Sequence, residues 1–402
     1  VTTRLYYDDA YLLTFDASVV GVRHVDGRAQ VALDRSAFYP TSGGQLHDTG
    51  TLTLADGDGG ASAHVIDVEA EGDTVWHIVD TPLEVGAIVR GMVDAGRRAD
   101  HRQQHSGQHV LSASCALVCQ AETRSVHLGA GLCTVDLHRE LSPDELDALE
   151  ADANRIVLED RPVRVRYVDG AEAAALPLRR PTGRTGTVRL VDIEGHDLSA
   201  CGGTHVARTG EIGAIVLRGA ERFKGGARLT FVCGMRAVES HRLLVRTLDA
   251  AARHVSQGPL DVPAAIVRLQ DESRDQRRAL DAVRERLSTF EAQSLAASFE
   301  RIGDLDIMVR LVPDVDATGL RRLGAALVET PGRVVVLLGG AAPHALVIAR
   351  SAGVTSVDVT ALARTVVEAA GGKAGGRGDL VQGGGVTGSV DDISTVVKRL
   401  LA

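Results

Sequence analysis

The sequence predicts an α+β protein in four parts: a small N-terminal β-barrel over residues 1–95, an α+β domain over 96–234, a helical hairpin over 235–302 and a C-terminal α/β domain over 303–402. Three observations predict it. Short apolar or alternating runs, separated by Gly, Asp and Pro, fill the N-terminal part; apolar residues then switch to helical spacing; and the C-terminal part alternates strand-like with helical stretches.

In chain order, Ala17–Arg23, Ala29–Leu33, Gly50–Leu54, Ala63–Val68, Thr74–Ile78 and Ile88–Val93 read as strands at a spacing that fits a small barrel. From Gly96 to Gln120, Val110, Leu111, Ser114, Leu117 and Val118 recur at helical spacing. A second helix follows Ser142, which can cap it, with Pro143 at the first helical position and Glu145 three residues on. Strand-like segments at 131–137, 162–168, 187–193, 212–217 and 227–233 complete the α+β domain.

From Met235 the pattern is helical, broken by Gly258, Pro259 and Pro263, which gives two helices. In the second, Ile266, Leu269, Leu280, Val283, Leu287 and Phe290 form a coiled-coil seam interrupted by Ser273 and Gln276. Such a seam serves an intramolecular spacer or a homodimer interface, through this region or the C-terminal one. The last part reads strand 305–312, helix 316–328, strands 333–338 and 345–350, helix 358–370, a glycine-rich loop over 371–385 and helix 389–401. That loop follows a helix and lacks the Gly-Lys-Ser/Thr ending of a P-loop, which disfavours nucleotide triphosphate binding.

A chain of 402 residues with 44% hydrophobic content can bury more than one core. It has no run of eighteen apolar residues and no charged-then-apolar leader, so no membrane segment and a cytoplasmic location are expected. Five cysteines, at 115, 119, 133, 201 and 233, are too few and too scattered for a disulfide framework; metal binding or thiol chemistry is the better expectation. The net charge of −9 argues against indiscriminate binding to nucleic acid, so any RNA contact is local. Basic residues cluster at Arg97 and Arg98, at Arg179, Arg180 and Arg184, at Arg321 and Arg322, and at Lys373 and Arg377. Taken alone, such clusters read as solvated faces.

Two fragments carry chemistry: His105-Ser106-Gly107-Gln108-His109 on the predicted helix, and Cys201-Gly202-Gly203-Thr204-His205 in a turn. Positions i and i+4 of a helix lie one above the other, so His105 and His109 can face one ion. Two glycines let the second fragment bend until Cys201 and His205 converge. One thiolate with imidazoles suits zinc better than magnesium or calcium, so one Zn²⁺ per chain is expected. Gly107 costs roughly 1 kcal/mol in a helix interior relative to alanine, and its expected use is close access for a substrate. No glutamate stands beside His105, which disfavours a zincin-type peptidase. His101, one turn earlier, reads as a partly exposed histidine, and Cys115 and Cys119 read as core.

The chain resembles the editing domain of alanyl-tRNA synthetases and its free-standing AlaX-type trans-editing relatives in their long form. The resemblance rests on Phe38-Tyr39-Pro40-Thr41-Ser42-Gly43-Gly44-Gln45 with Asp48-Thr49-Gly50, on the two ligand fragments, on Thr209-Gly210-Glu211-Ile212-Gly213, and on the terminal glycine-rich loop, which is similar to a C-terminal DHH-associated domain. It implies zinc-dependent hydrolysis of the ester joining serine, with glycine a further candidate, to alanine tRNA. It implies a pocket from Thr41, Ser42, Gly43, Gly44 and Gln45, the first two recognising the serine hydroxyl. It implies His127, in Ser125-Val126-His127-Leu128-Gly129, as a positioner of water or ribose hydroxyls, Asp197 as a partner orienting a ligating histidine, and Lys373 and Arg377 as tRNA contacts.

No room for a class II catalytic domain is visible, so unloading without charging is expected, and no Asp-His-His motif supports a phosphoesterase. Competing readings are a threonyl-tRNA synthetase-type editing protein, a zinc hydrolase of small amino-acid esters, and an RNA-binding protein with structural zinc. An apolar charging site separates alanine from serine poorly, by about 1–3 kcal/mol, which is the physical need for a second sieve.

Overall fold

Six N-terminal strands close on themselves. In the computed structural model, which describes residues 1–55 and 61–402, the barrel order is β2 (Thr14–Val25), β3 (Arg28–Leu33), β7 (Thr74–Val79), β6 (Ser62–Glu71), β5 (Gly50–Leu54) and β8 (Ile88–Val93). The short strands β1 (Thr3–Arg4) and β4 (Arg35–Ser36) pair beside it. Alternation explains closure: along β8 every second residue is buried, and Phe15, Val19, Val31, Leu33, Leu52, Val65 and Val89 fill the interior. Each such side chain contributes on the order of 1.5–3 kcal/mol when fully buried.

The barrel delivers the chain into α1 (Ala95–Cys119), capped by Asp94, whose carboxylate accepts the Arg97 N–H, and ended by Gln120 in a left-handed conformation. Beyond it follow β9 (Thr123–Leu128), β10 (Cys133–Leu137), α2 (Pro143–Leu158), β11 (Val163–Asp169), α3 (Gly170–Ala175), β12 (Thr187–Ile193), β13 (Asp197–Ala200), β14 (Ile215–Phe223) and β15 (Gly226–Cys233). The expected box at α2 is present, with Ser142 and Glu145 each accepting from the other's backbone. The antiparallel sheet β14-β15-β10-β9 packs on α1 and α2 around Leu111, Cys115, Leu149, Ile156, Leu229 and Phe231. A second sheet, β11-β12-β13, carries Cys201 at its end.

Gly107 does not serve substrate access: a Cβ there would collide with Cys233 Sγ and crowd Ile212, so glycine lets α1 lie close on β15. His101 is buried rather than partly exposed, and Arg98 is buried rather than solvated, the two lying beside Asp48. The chain folds as two compact units, Val1–Ala250 and Ala251–Ala402, and the division falls inside α4 (Met235–His254).

In the second unit, α5 (Val262–Leu295) leads into the six-stranded sheet β16 (Glu300–Ile302), β17 (Leu305–Val312), β18 (Arg333–Gly339), β19 (His344–Arg350), β21 (Leu380–Val386) and β20 (Lys373–Gly376), with α6 (Ala317–Leu327), α7 (Val359–Ala370) and α8 (Val390–Leu401). The expected glycine-rich loop is instead the hairpin β20–β21. Glycines supply no alternating side-chain pattern, so its strands leave no period-two signal. The seam residues Ile266, Leu269, Leu280, Val283, Leu287 and Phe290 are exposed on α5. Among the described residues, no helix is long and apolar enough to cross a membrane.

Candidate metal centre

Four side chains from two distant stretches meet. The ligand atoms of His105, His109, Cys201 and His205 all lie within 4.8 Å of one another. Cys201 Sγ is 3.4 Å from His105 Nε2 and 3.3 Å from His205 Nε2. The helix supplies the first pair one turn apart. The turn after β13 supplies the second, and Gly203 lets it close, since a Cβ there would overlap the His105 ring.

What turns the ring nitrogens inward is the set of partners on their far sides. His105 Nδ1 donates to Gln45 Oε1 at 2.8 Å; that oxygen also accepts the Thr204 N–H while Gln45 Nε2 donates to Thr204 Oγ1, which fixes the amide's orientation. His109 Nδ1 donates to Asp197 Oδ2 at 2.8 Å, and Asp197 is held by Arg179 Nε and the Ser199 hydroxyl. His205 Nδ1 meets Ser106 Oγ at 3.1 Å. With each Nδ1 engaged, three Nε2 lone pairs and one sulfur remain for a shared ion. Tetrahedral zinc with Zn–N about 2.05 Å and Zn–S about 2.3 Å separates N from S by about 3.6 Å, close to the observed spacings, so the donor set fits zinc.

The electrostatics match. Burial disfavours the Cys201 thiolate, but His105, His205 and His109 outweigh burial and hold the thiol well below its usual range. Burial also opposes a charged His109, yet Cys201 and Asp197 raise it to about 9. For His205 burial prevails over the pull of Cys201 and pushes it down to about 3. Burial works against the Asp197 carboxylate, but His109 and Arg179 keep it well below the carboxylate range. A metal entering this cluster displaces protons.

A cavity of about 420 Å³ opens over the cluster. His105, His109 and Cys201 line it, together with Ser42, Gly43, Gln108, Thr123, Val126 and Arg179, while His205 is buried behind. The residues singled out for the pocket divide. Ser42 and Gly43 reach the cavity; Gly44 packs near the Val126 carbonyl; Gln45 is buried on His105; and Thr41 is exposed, its hydroxyl engaged with His47. His127 is exposed on β9, outside the lining, whereas its neighbour Val126 is in it. Asp197 lies under His109. In the second unit Lys373, on β20, and Arg377, in the turn that follows, are exposed.

Sequence reasoning passed over Thr204, Ser106, Thr123 and the role of Arg179. The first two sit inside or beside the ligand fragments, so proximity was an available signal. Arg179 was legible only as charge. Thr123 lines the cavity with a buried hydroxyl that has no hydrogen-bond partner among the described residues.

Comparisons with known proteins bear on this geometry. The model of the threonyl and alanyl tRNA synthetase second additional domain matches residues 188–229, which include Cys201 and His205. The model of class II (A) tRNA synthetases matches residues 5–97, the barrel and the start of α1. An alanine–tRNA ligase of Archaeoglobus fulgidus is 33% identical over 395 residues, 95% of this chain and 42% of the relative. Those of Methanoculleus marisnigri and Pyrococcus abyssi are 32% and 30% identical, over 96% and 99% of this chain and 41% and 44% of theirs. The chain thus spans about two fifths of the length of these curated relatives.

Proposed function

We propose that this chain, which belongs to the alanyl-tRNA synthetase-related family, hydrolyses the ester linking serine, with glycine a further candidate, to alanine tRNA, and that these 402 residues suffice for that reaction on added tRNA. The observation that carries the reading is the convergence of His105, His109, Cys201 and His205 at a cavity of about 420 Å³. A zinc ion held by these four would polarise the ester carbonyl or lower the pKa of water. Four protein ligands close a tetrahedral site, so His205, the fourth, is the ligand proposed to yield its coordination position to water or the ester.

The protein's own residues do the rest. Asp197 fixes the His109 ring and Gln45 the His105 ring, so neither turns when substrate enters. Ser42 offers its hydroxyl to the serine side chain, and Thr123, whose hydroxyl is shielded from solvent, is proposed to join it by a side-chain rotation. Alanine would leave the buried Thr123 oxygen unpaired, at a cost of about 1–3 kcal/mol. Lys373 and Arg377 contact the tRNA away from its acylated end. The segment matching the class II model is a barrel filled by its own side chains, and we expect no charging activity from these residues. The proposed place of action is the cytoplasm.

The test is deacylation of seryl-, glycyl- and alanyl-tRNA(Ala), with and without chelator. Chelator-sensitive hydrolysis of the seryl form, with the alanyl form spared, is the expected result. Equal, chelator-resistant hydrolysis of all three would defeat the reading, and hydrolysis confined to seryl-tRNA(Thr) would move it to the threonyl-type alternative.

A further inference from the structure

The cavity has an asymmetry of charge that ester hydrolysis does not require. Its lining contains Arg179, Arg180 and Arg184 and no aspartate or glutamate, in a chain of net charge −9. Arg179 is committed to Asp197 and Ser199. Arg180 and Arg184 differ: both are exposed, on the irregular stretch between α3 and β12, and among the described residues neither guanidinium has a salt-bridge or hydrogen-bond partner. Some exposed arginines of this unit, such as Arg164 and Arg208, reach a carboxylate at 2.5 and 2.6 Å, and others, such as Arg28 and Arg218, do not; what sets Arg180 and Arg184 apart is that they line the cavity.

Two uncommitted guanidinium groups at the lip of a carboxylate-free cavity focus a positive potential on its entrance. Guanidinium binds phosphate through two parallel hydrogen bonds. Tyr7, half-buried, belongs to the same lining, and basic groups beside an aromatic ring are the pairing that holds single-stranded nucleic acid rather than a free anion. We propose that Arg180 and Arg184 bind successive phosphodiesters of an unpaired RNA 3′ end as it enters the cavity. The loop between α3 and β12 is then the strand's guide. Binding stands apart from hydrolysis, although the identity of the acyl group at that end rests on the deacylase reading.

The test compares the 402-residue protein with its Arg180→Gln/Arg184→Gln variant, using fluorescence anisotropy on a stem-loop RNA with an unpaired 3′ overhang and on the same stem made blunt, over a salt series. Both side chains are exposed and unpartnered, so the fold tolerates the change, and Arg164→Gln serves as control. We expect the variant to bind the overhang RNA about 10-fold more weakly, with a salt slope shallower by about 1–2, while the blunt stem, inorganic phosphate competition and the control show no change. Equal binding of the overhang RNA by variant and wild type, equal losses for both RNAs, or displacement by phosphate would overturn the proposal. Seryl-tRNA hydrolysis measured in parallel separates the two claims: a wild type that binds the overhang RNA through these arginines yet hydrolyses nothing removes the deacylase reading alone.

Discussion

Helix α1 buries two polar clusters, and they differ in where their lone pairs and donors end. Near its start, Arg98 donates to Asp48, to the Ala10 carbonyl and to the Ala37 carbonyl, while Asp48 also accepts the Tyr39 N–H. Apart from His101 Nδ1, which is buried 3.7 Å from Asp48 without a hydrogen-bond partner among the described residues, that network closes on itself. About two turns later, His105 and His109 spend their Nδ1 groups on Gln45 and Asp197 and leave their Nε2 groups facing Cys201 and His205. Buried polarity that is fully spent within the protein holds the barrel to the helix. Buried polarity with lone pairs left aimed at one point is able to take a shared ion.

The sharpest way to break this contrast is to remove one member of each cluster. Cys201→Ala should lower metal content from about one ion per chain to nearly none and reduce seryl-tRNA hydrolysis on the order of 10³-fold, while urea unfolding of the chelated protein changes little. Arg98→Met should do the reverse, costing about 3–5 kcal/mol because Asp48 is left charged and unpaired, measured by the same denaturation. If Cys201→Ala instead unfolds the chelated protein and Arg98→Met is tolerated, the two clusters have been assigned the wrong way round. A pH scan sharpens the second half. The folded pKa of Asp48 is depressed: burial opposes its charge, but His101 and Arg98 prevail. Its contribution is therefore present above the unfolded value of 3.8 and lost as pH falls through the lower folded value. The wild type should lose stability below about pH 4 more steeply than Asp48→Asn.

Smaller effects test how the second cluster is held. Asp197→Asn keeps the shape but weakens the hold on His109, and should lower metal affinity about 10–100-fold in a chelator competition. Thr123→Val removes one hydroxyl from the cavity and should cut the preference for seryl- over alanyl-tRNA about 10-fold, with Thr123→Ser retaining it. An unchanged ratio in Thr123→Val would take that residue out of the pocket's selectivity.

Much of this was legible from the chain because the signals are local. The barrel strands alternate, the α2 box lies within four residues, and each ligand pair fits within five. What was hidden depends on partners far along the chain. Arg98 and His101 look like solvated residues until Asp48 is seen across from them. Gly107 looks like an opening until Cys233 arrives from β15 to fill it. The β20–β21 hairpin escaped because glycines carry no side-chain pattern, and Thr41, beside the cavity in sequence, turns its hydroxyl to His47 instead.

The central claim is that three imidazoles and one thiolate share a single ion. X-ray absorption at the zinc edge, on the 402-residue protein loaded with one equivalent of Zn²⁺, measures this directly. We expect three nitrogen neighbours at about 2.0–2.1 Å and one sulfur at about 2.3 Å, the sulfur shell vanishing in Cys201→Ala. A shell of oxygen neighbours alone, or a spectrum that Cys201→Ala leaves unaltered, would contradict it.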